Sequence, residues 1–442
     1  MTEVLLAGQA APTGVAWPRG DLEDRVVRAL DLAATVLDEF GTTGFMDTDR
    51  PALSFGPDKV IAESAMLAYA AAGASTGRRL TSAVAGVADR LVPLCRSRQA
   101  LADAALEPHR AFKYAIPHLL LTALGSPDER FDDFILAQCT SARSMAADLA
   151  PVARMEQQWV MGKWGGRAAH TPGRLDVRGT ALDKPLDVLT VSREDTYALT
   201  HMLFYVSDFA RSPSVCLRRS KAAVLDDVRT LVARYMRLED YDLSGELLMA
   251  WPELDAAWDP VSGFCFRVLA DVEDRVGILP CGNLDPRRVA AMSPAESGRY
   301  TRATAYHTAF VMGFCCAAAL RGSPPERGVP SSERTEVVWP ELFELVGHHR
   351  GHWQPVFDTL TDAEKESLTP MLADMATVDS MEGRDYRRAG VVLGLAARGD
   401  VEGPMQQRAR AVMTALGRAM DLAQSSPAAD ADLISPRSRT TP

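Results

Sequence analysis

The chain has 442 residues, with 58 acidic and 48 basic side chains and a formal net charge of −10. Its 47% hydrophobic and 24% charged residues are ordinary for a globular protein, which excludes a coiled coil, a collagen-like chain and a chain disordered throughout. An acidic balance without a long basic run argues against nucleic acid as a partner. The length leaves two alternatives, several domains or one large closed architecture.

Helical periodicity dominates the chain from residue 21 onward. In the segment 21–40, apolar residues repeat on one side and acids on the other, between Asp21 at the start and Gly41 at the end. The same pattern predicts further helices at 58–72, 80–95, 111–124, 130–149, 193–210, 216–237, 297–320, 361–377, 385–398 and 404–423. Only the short run Leu186–Val191 favours a strand, so we expect an all-α fold.

Three apolar helices each carry one histidine in a related line of residues. These are His118, His201 and His307, in segments that are otherwise apolar nearly all round. Helices that are apolar on every side are buried, so an inner layer inside an outer amphipathic layer is expected. This favours an α/α toroid-like ring of helical hairpins, although chance similarity among such helices remains an equal alternative.

The domain organisation follows from two segments rich in glycine, proline and charge, 162–187 and 322–335. As surface loops they leave one toroid-like domain at 21–425, with a flexible amino terminus at 1–20 and a disordered tail at 426–442. As linkers they divide the chain into two or three helical-bundle domains. The repeated histidine helices favour the single ring.

The amino-terminal segment and the cysteines indicate a compartment. The only apolar run near the start, Val4–Ala7, is too short for a secretory signal, and no stretch has the roughly 18 uncharged apolar residues of a membrane span. Seven scattered cysteines fit reduced thiols better than a disulfide framework. We therefore expect a cytoplasmic protein without a membrane partner.

The segment 193–210 contains the first candidate site. Tyr197, His201 and Tyr205 lie at i, i+4 and i+8, and Asp208 follows at i+11, so the periodicity places all four on one helix face. A histidine between two phenols can move a proton near neutral pH. The alternative is a core histidine whose ring is satisfied by a tyrosine hydroxyl or a backbone carbonyl.

The second candidate site is a pair of acids, Asp242 and Glu246, which share a helix face beside the apolar run Leu247–Trp251. Such a pair can act as acid and base if burial raises one pKa, or can hold a divalent cation through oxygen ligands. The alternative is helix capping by Asp242 or Ser244, with Glu246 in the first turn, where its carboxylate favours the helix dipole.

Cofactor motifs are missing from the sequence. His348, His349 and His352 form no zinc motif, and neither do the adjacent Cys315 and Cys316, because a close pair such as Cys-x-x-Cys or His-Glu-x-x-His does not occur. There is also no P-loop and no dinucleotide-binding fingerprint. We expect no cofactor and no bound metal from motifs alone.

Two segments, Asp195–Asp208 and Asp242–Leu248, resemble an uncharacterised family of all-helical actinobacterial proteins, and the resemblance covers 190–320. Members of that family look like companions of enzymes that make specialised metabolites. The resemblance implies a role in natural product biosynthesis beside a partner biosynthetic enzyme. It brings no established reaction with it.

These features predict an enzyme of the cyclase, lyase or isomerase type. Its apolar central cavity would bind a hydrophobic or peptidic intermediate and promote cyclisation, elimination or isomerisation by proton transfer. The expected catalytic residues are His201, Tyr197, Asp242, Glu246 and His307. The expected substrate-binding residues are Tyr205, Trp251, Tyr306, His118 and Tyr114. The alternative is a non-catalytic protein that binds a substrate or peptide for a partner enzyme.

Overall fold

The regular structure is helical throughout the part of the chain that the structure describes. The computed structural model describes residues 15–39, 57–144, 149–165, 175–212, 217–282, 284–330, 336–346 and 351–425. Within these ranges an isolated bridge between Ala16 and Glu326 is the extent of β pairing. The all-α prediction is confirmed.

The described helices, in chain order, are α1 (Arg19–Glu39), α2 (Pro57–Ala71), α3 (Arg78–Cys95), α4 (Arg98–Leu106), α5 (Ala111–Ala123), α6 (Glu129–Ser144), α7 (Pro151–Lys163), α8 (Arg193–Ser207), α9 (Lys221–Arg237), α10 (Tyr241–Leu248), α11 (Ala250–Glu253), α12 (Pro260–Val276), α13 (Pro286–Ala290), α14 (Pro294–Arg321), α15 (Trp339–Leu345), α16 (Trp353–Asp358), α17 (Asp362–Ser367), α18 (Thr369–Glu382), α19 (Tyr386–Arg398) and α20 (Pro404–Ser425). A 3-10 turn at Pro108–Arg110 precedes α5.

Each predicted helix has a counterpart, with differences at the ends. The predicted helix at 361–377 is two helices, α17 and α18, which meet at Leu368. The predicted helix at 193–210 ends at Ser207, because Asp208 adopts a left-handed φ of 53° and caps it. The run Leu186–Val191 forms turns rather than a strand. Residues 145–148 of the predicted helix at 130–149, residues 1–14 of the predicted amino-terminal segment and the whole predicted tail at 426–442 lie outside the described residues.

The sequence interpretation missed several helices that begin at a proline. Helix α12 starts with Pro260 after Asp259, which accepts a backbone hydrogen bond from Ser262, and α7 starts with Pro151. A proline at the first helical position fits, because that residue needs no intrahelical N–H bond. A proline at these positions is a sequence signal for the start of a helix, but hydrophobic periodicity alone does not detect it.

Helix α14 runs through the centre of the molecule. It packs against α1, α2, α10 and α11, and its residues from Ala305 to Leu320 are almost all buried. At Gly313 a Cβ atom would lie 2.6 Å from Cβ of Ala29 and 3.0 Å from Cδ1 of Leu67, so the absent side chain allows the close approach of α1 and α2.

The length and apolar character of α14 would also allow it to cross a bilayer. However, 89% of its most apolar window is buried inside the protein. That burial is typical of a core helix, because the apolar surface already contacts other helices.

One large hydrophobic core joins α1 to α19, from Leu22 to Val401. A smaller cluster, which includes Val188, Val378 and Met405, lies where α18, α19 and α20 meet the loop before α8. Neighbouring helices in the chain often pack together, but α14 returns to lie against α1 and α2. The toroid-like ring and the single domain at 21–425 stay predictions.

Asp374 is a buried carboxylate in the middle of α18. Its side chain is 6% exposed, and its Oδ1 accepts a 2.8 Å hydrogen bond from Nε2 of Gln406 on α20. Burial raises the pKa of Asp374 to about 6, although the hydrogen bonds from Gln406 and Thr230 favour the charged form. Folding therefore opposes ionisation of this group.

We predict that Asp374→Asn stabilises the protein at alkaline pH. Because the folded pKa lies above that of the unfolded chain, the cost of the charge begins near pH 4 and is complete above about pH 6. The variant should raise the free energy of unfolding at pH 8 by on the order of 1–3 kcal/mol and change it little at pH 4. Urea denaturation at the two pH values measures this.

The matched control is Asp89→Asn, at an exposed position on α3. It should leave the free energy of unfolding within about 0.5 kcal/mol of wild type at both pH values. An equal effect of Asp374→Asn at pH 4 and pH 8 would contradict the account of the buried charge.

Candidate functional site

Helices α2, α8, α10 and α14 bring five ionisable side chains together, with the imidazole of His307 at the centre. Nδ1 of His307 lies 3.0 Å from Oε2 of Glu63, and Nε2 lies 3.2 Å from Oδ1 of Asp242 and 3.8 Å from Oε1 of Glu246. Nδ1 of His201 lies 3.8 Å from Oε2 of Glu246. We call Glu63, His201, Asp242, Glu246 and His307 the His307 cluster.

Helix α10 carries the two acids on one face, one turn apart. Asp240 caps the helix by accepting a hydrogen bond from the backbone N–H of Leu243, so Asp242 and Glu246 follow in its first two turns. The predicted capping role therefore belongs to Asp240. This leaves Asp242 and Glu246 to face α14.

Both acids of α10 are held at one oxygen by a residue of α8. Nη2 of Arg193 donates to Oδ2 of Asp242 over 3.0 Å, and the Thr200 hydroxyl donates to Oε2 of Glu246 over 2.6 Å. The other oxygen of each carboxylate is the one closest to Nε2 of His307. Helix α8 thus fixes the direction in which both carboxylates point.

A glycine sets the distance between α10 and α14. A Cβ atom at Gly245 would lie 2.5 Å from Cγ1 of Val311, which is one turn beyond His307 on α14. Real Cβ atoms do not approach a neighbour so closely, and a buried valine has little rotamer freedom to move aside. The missing side chain therefore lets the acids of α10 reach His307.

His201 has one ring nitrogen committed to the backbone. Its Nδ1 lies 3.0 Å from the carbonyl oxygen of Tyr197, which can only accept, so Nδ1 carries the hydrogen and Nε2 carries the lone pair. The ring packs against the Tyr197 ring with centroids 3.8 Å apart. A backbone carbonyl therefore satisfies His201, as the core-histidine alternative expects, but only at Nδ1.

The carboxylates determine the charge of His307. Burial works against the imidazolium, but the charges of Glu63 and Asp242 raise the pKa of His307 well above its ordinary value. Burial likewise opposes ionisation of Glu63, yet the charge of His307 lowers its pKa. Glu63 and His307 are therefore a buried ion pair, whose angles fall short of hydrogen-bond geometry.

Two members of the cluster are kept neutral by burial. Burial, together with the charge of Asp242, raises the pKa of Glu246 above that of an ordinary carboxyl group. Burial and the nearby charge of His307 lower the pKa of His201 to about 3. The cluster thus combines a charged imidazole, a neutral imidazole and a carboxyl group that resists ionisation.

Two adjoining cavities meet at the cluster. An inner cavity of about 620 Å³ and an outer cavity of about 1150 Å³ share Lys59, Tyr197 and His307 in their walls. The inner wall is rich in apolar and aromatic residues, Met66, Ile116, Phe204, Phe209, Met249, Val311 and Phe314, and also includes His201 and Glu246. The outer wall includes Asp242 and further acids near Arg193.

The structure brings together five of the residues predicted as catalytic or substrate-binding around the inner cavity. These are Tyr197, His201, Tyr205, Glu246 and His307. Tyr205 donates its hydroxyl hydrogen to Oε1 of Glu156 over 3.3 Å. Asp242 reaches the same cluster from the outer cavity.

Four residues predicted to bind substrate line neither cavity, although the Tyr306 hydroxyl interacts with Glu63 of the cluster. Trp251 is fully buried and stacks on Trp258, while Tyr306 packs against Phe310. Tyr114 donates to Asp103 over 2.8 Å. His118 lies 3.1 Å from Asp132 and accepts a hydrogen bond from Nε of Arg96. The histidine of α5 therefore contributes to packing and not to the cluster.

Asp208 is also separate from the face predicted for it. Its left-handed conformation turns it toward Trp159, Tyr69 and Lys163, and the Trp159 and Tyr69 hydrogen bonds measure 2.9 and 2.8 Å. A helix-face argument fails there because the helix has already ended.

The sequence interpretation missed Glu63, Lys59 and Glu156 at the cavities. Lys59 and Glu63 lie one turn apart on α2, with Nζ 3.4 Å from Oε1 of Glu63. The available signal was a carboxylate within the apolar run of α2, since an unpaired buried acid is costly. Its partner on α14 could not be identified from spacing along the chain.

Asp242, Glu246 and His307 could hold a metal ion, because each offers one ligand atom and these atoms lie within 4.8 Å of one another. Of the other groups considered for metal, Cys315 and Cys316 are fully buried in the core. Nδ1 of His352 lies 2.5 Å from the Tyr241 hydroxyl, whereas His348 and His349 lie outside the described residues.

Fold and site together define a class: a helical protein with a buried imidazole–carboxylate cluster where two cavities meet. The chain belongs to the family described as a domain of unknown function, DUF6895, which matches residues 26–317 and so spans every member of the cluster. No curated protein and no solved structure matches the chain.

We predict that Gly245→Ala destabilises the protein by about 1–3 kcal/mol, although alanine is the better helix former. The added methyl group would have to displace Val311 and push α10 from α14. Thermal unfolding followed by circular dichroism measures the change.

The control is Gly263→Ala on α12, where a Cβ atom meets nothing within 4 Å. This variant should be neutral or stabilise by up to about 1 kcal/mol. Equal melting temperatures for the two variants would show that the contact between α10 and α14 is not tight.

Proposed function

We propose that the protein is an enzyme that moves a proton on a hydrophobic or peptidic substrate bound in the inner cavity, in a cyclisation, an elimination or an isomerisation. The observation that carries the proposal is that His201, whose Nε2 holds the lone pair, and Glu246 both line one aromatic-rich cavity. A base and an acid positioned on one cavity are what such reactions need.

The walls of the inner cavity support the proposed substrate class. Its volume of about 620 Å³ falls within the usual range for small-molecule sites, and its lining is dominated by apolar and aromatic side chains. Polar groups are concentrated at the end where Lys59, Glu63 and His307 lie. A substrate with an apolar body and one polar reacting group matches this distribution.

The chemistry needs no oxidant or reductant. Nε2 of His201 takes a proton from a carbon or heteroatom of the substrate, and the bonding electron pair stays with the substrate. In an isomerisation the pair forms a new double bond, the electrons of the old double bond shift to a different carbon, and the carboxyl group of Glu246 returns a proton there. In an elimination the pair forms a double bond and expels a leaving group, which takes that proton. In a cyclisation the pair forms a bond to one atom of a double bond elsewhere in the same molecule, and the other atom of that double bond takes its electrons and the proton.

The remaining roles follow from the same arrangement. Tyr197 orients His201 through its carbonyl group and its ring. Asp242 and His307 set the electrostatic environment of Glu246. We further propose a cytoplasmic enzyme of specialised metabolism that works beside a partner biosynthetic enzyme, as the sequence resemblance implies.

The test uses deuterium incorporation, because proton transfer can be detected before the substrate is known. Wild-type protein in D₂O, mixed with a hydrophobic metabolite and peptide extract of the native host, should label or convert at least one compound. His201→Ala and Asp242→Asn should lower that rate by about 100-fold or more, in line with the loss of a general base or of its electrostatic support. Mass spectrometry follows both readouts.

The matched control is His109→Ala, which removes an exposed histidine that lines neither cavity and should leave the rate unchanged. Rates within about threefold of wild type for both cluster variants would refute the proposal. If no compound reacts but the protein raises the rate of a co-purified enzyme, the non-catalytic binding function replaces it.

A further inference from the structure

Asp242, Glu246 and His307 face one another in the His307 cluster, and another residue contacts the outer side of each. Oδ2 of Asp242 accepts from Arg193 over 3.0 Å, and Oε2 of Glu246 accepts from Thr200 over 2.6 Å. On His307 the outer atom is Nδ1, which lies 3.0 Å from Glu63. The inner atoms, Oδ1, Oε1 and Nε2, converge on one point.

One of the converging atoms has no hydrogen bond of its own. Oδ1 of Asp242 is buried and accepts no hydrogen bond, although Nε2 of His307 is 3.2 Å away. Glu246 is 3% exposed, so its carboxylate is also withdrawn from water. A buried carboxylate oxygen that accepts no hydrogen bond normally faces a cation.

The separations fit metal coordination. Bonds of about 2.1 Å from one ion to a nitrogen and an oxygen place these atoms about 3.2 Å apart at an angle near 100°, and about 3.8 Å apart near 130°. Nε2 of His307 lies 3.2 Å from Oδ1 of Asp242 and 3.8 Å from Oε1 of Glu246. All three atoms lie within 4.8 Å of one another, so a small closure completes the set.

The surrounding charges favour a dication. Glu63, Asp242 and Glu246 place three carboxylates around one imidazole, and Lys59 faces Glu63 with Nζ 3.4 Å from Oε1. Lys59 balances Glu63, and Arg193 also pairs with Asp240, so a doubly charged ion balances Asp242 and Glu246 once the ion has displaced the proton of Glu246. The contact between Glu63 and Nδ1 resembles the carboxylate–histidine–metal arrangement, in which an outer carboxylate fixes the ring and the tautomer.

We infer that Oδ1 of Asp242, Oε1 of Glu246 and Nε2 of His307 bind one divalent transition-metal ion, of the class of Zn²⁺ or Mn²⁺. Two carboxylates with one imidazole suit such ions better than Ca²⁺ or Mg²⁺, which prefer oxygen ligands throughout. Because the three ligands line the two cavities, the coordination positions left open face the space where substrate would bind. The inference goes beyond the proposed function, since ion binding does not depend on a reaction; with the ion bound, Glu246 is a ligand and the proton-donating role belongs to the ion-free state.

The test is calorimetric titration of the untagged, full-length protein with ZnCl₂ or MnCl₂ alone, after removal of bound metal with a chelator. We expect one ion per chain. Asp242→Asn, which keeps the size of the side chain, should weaken binding by about 100-fold or more. Glu63→Gln should weaken it by about 10–100-fold and leave the stoichiometry at one, because Glu63 positions the ligand without binding the ion.

The control is Glu156→Gln, which neutralises a carboxylate of the inner cavity that bonds to Tyr205 and lies outside the ligand set. It should bind the ion within about threefold of wild type. Absence of binding below about 1 mM in the wild type overturns the inference. So does equal binding by wild type and Asp242→Asn, with both proteins shown to be folded by circular dichroism. The titration uses no substrate, so its result does not depend on whether the proposed proton-transfer reaction is detected.

Discussion

A buried imidazole with carboxylates beside both of its nitrogens places one physical demand on the whole molecule. A neutral imidazole has a single N–H group, so Nδ1 facing Glu63 and Nε2 facing Asp242 together require one positive charge at the nitrogen that lacks a hydrogen. A proton meets this demand, and so does a metal ion. The three helices that supply these groups, α2, α10 and α14, must be held close enough for the charges to compensate one another.

Packing provides that closeness through small residues on the central helix and its neighbours. Gly313 lets α1 and α2 approach α14, and Gly245 lets α10 approach it from the other side. The hydrophobic core therefore carries the free energy that keeps ionisable groups away from water. Their altered pKa values follow from this burial, and the cavities give a substrate access to the same groups.

Sequence patterns predicted those parts of the structure that are determined locally. Helical periodicity identified long amphipathic helices such as α1 and α9, because burial of one face repeats every 3.6 residues. The same periodicity put Asp242 and Glu246 on one face of a helix, and Tyr197, His201 and Tyr205 on another. All five lie at the cavities. Short helices that begin at proline escaped this reasoning, since their start signal is conformational.

Contacts between distant helices could not be read from spacing. His118, His201 and His307 lie in similar stretches of sequence. Only His201 and His307 share a site, because α5 turns His118 toward Asp132. Glu63 meets His307 across the packing of α2 on α14, which depends on the whole core. For the same reason Trp251, apolar and near Glu246 in sequence, packs against Trp258 instead of lining a cavity.

The central claim is that side chains of three helices converge on the imidazole of His307 and share one cation. A crystal structure of the metal-supplemented protein, with anomalous diffraction at the zinc or manganese edge, tests it most directly. The account predicts one anomalous peak about 2.0–2.3 Å from Nε2 of His307 and from one oxygen each of Asp242 and Glu246. A map without a peak there, with the imidazole turned away from both carboxylates, would contradict it.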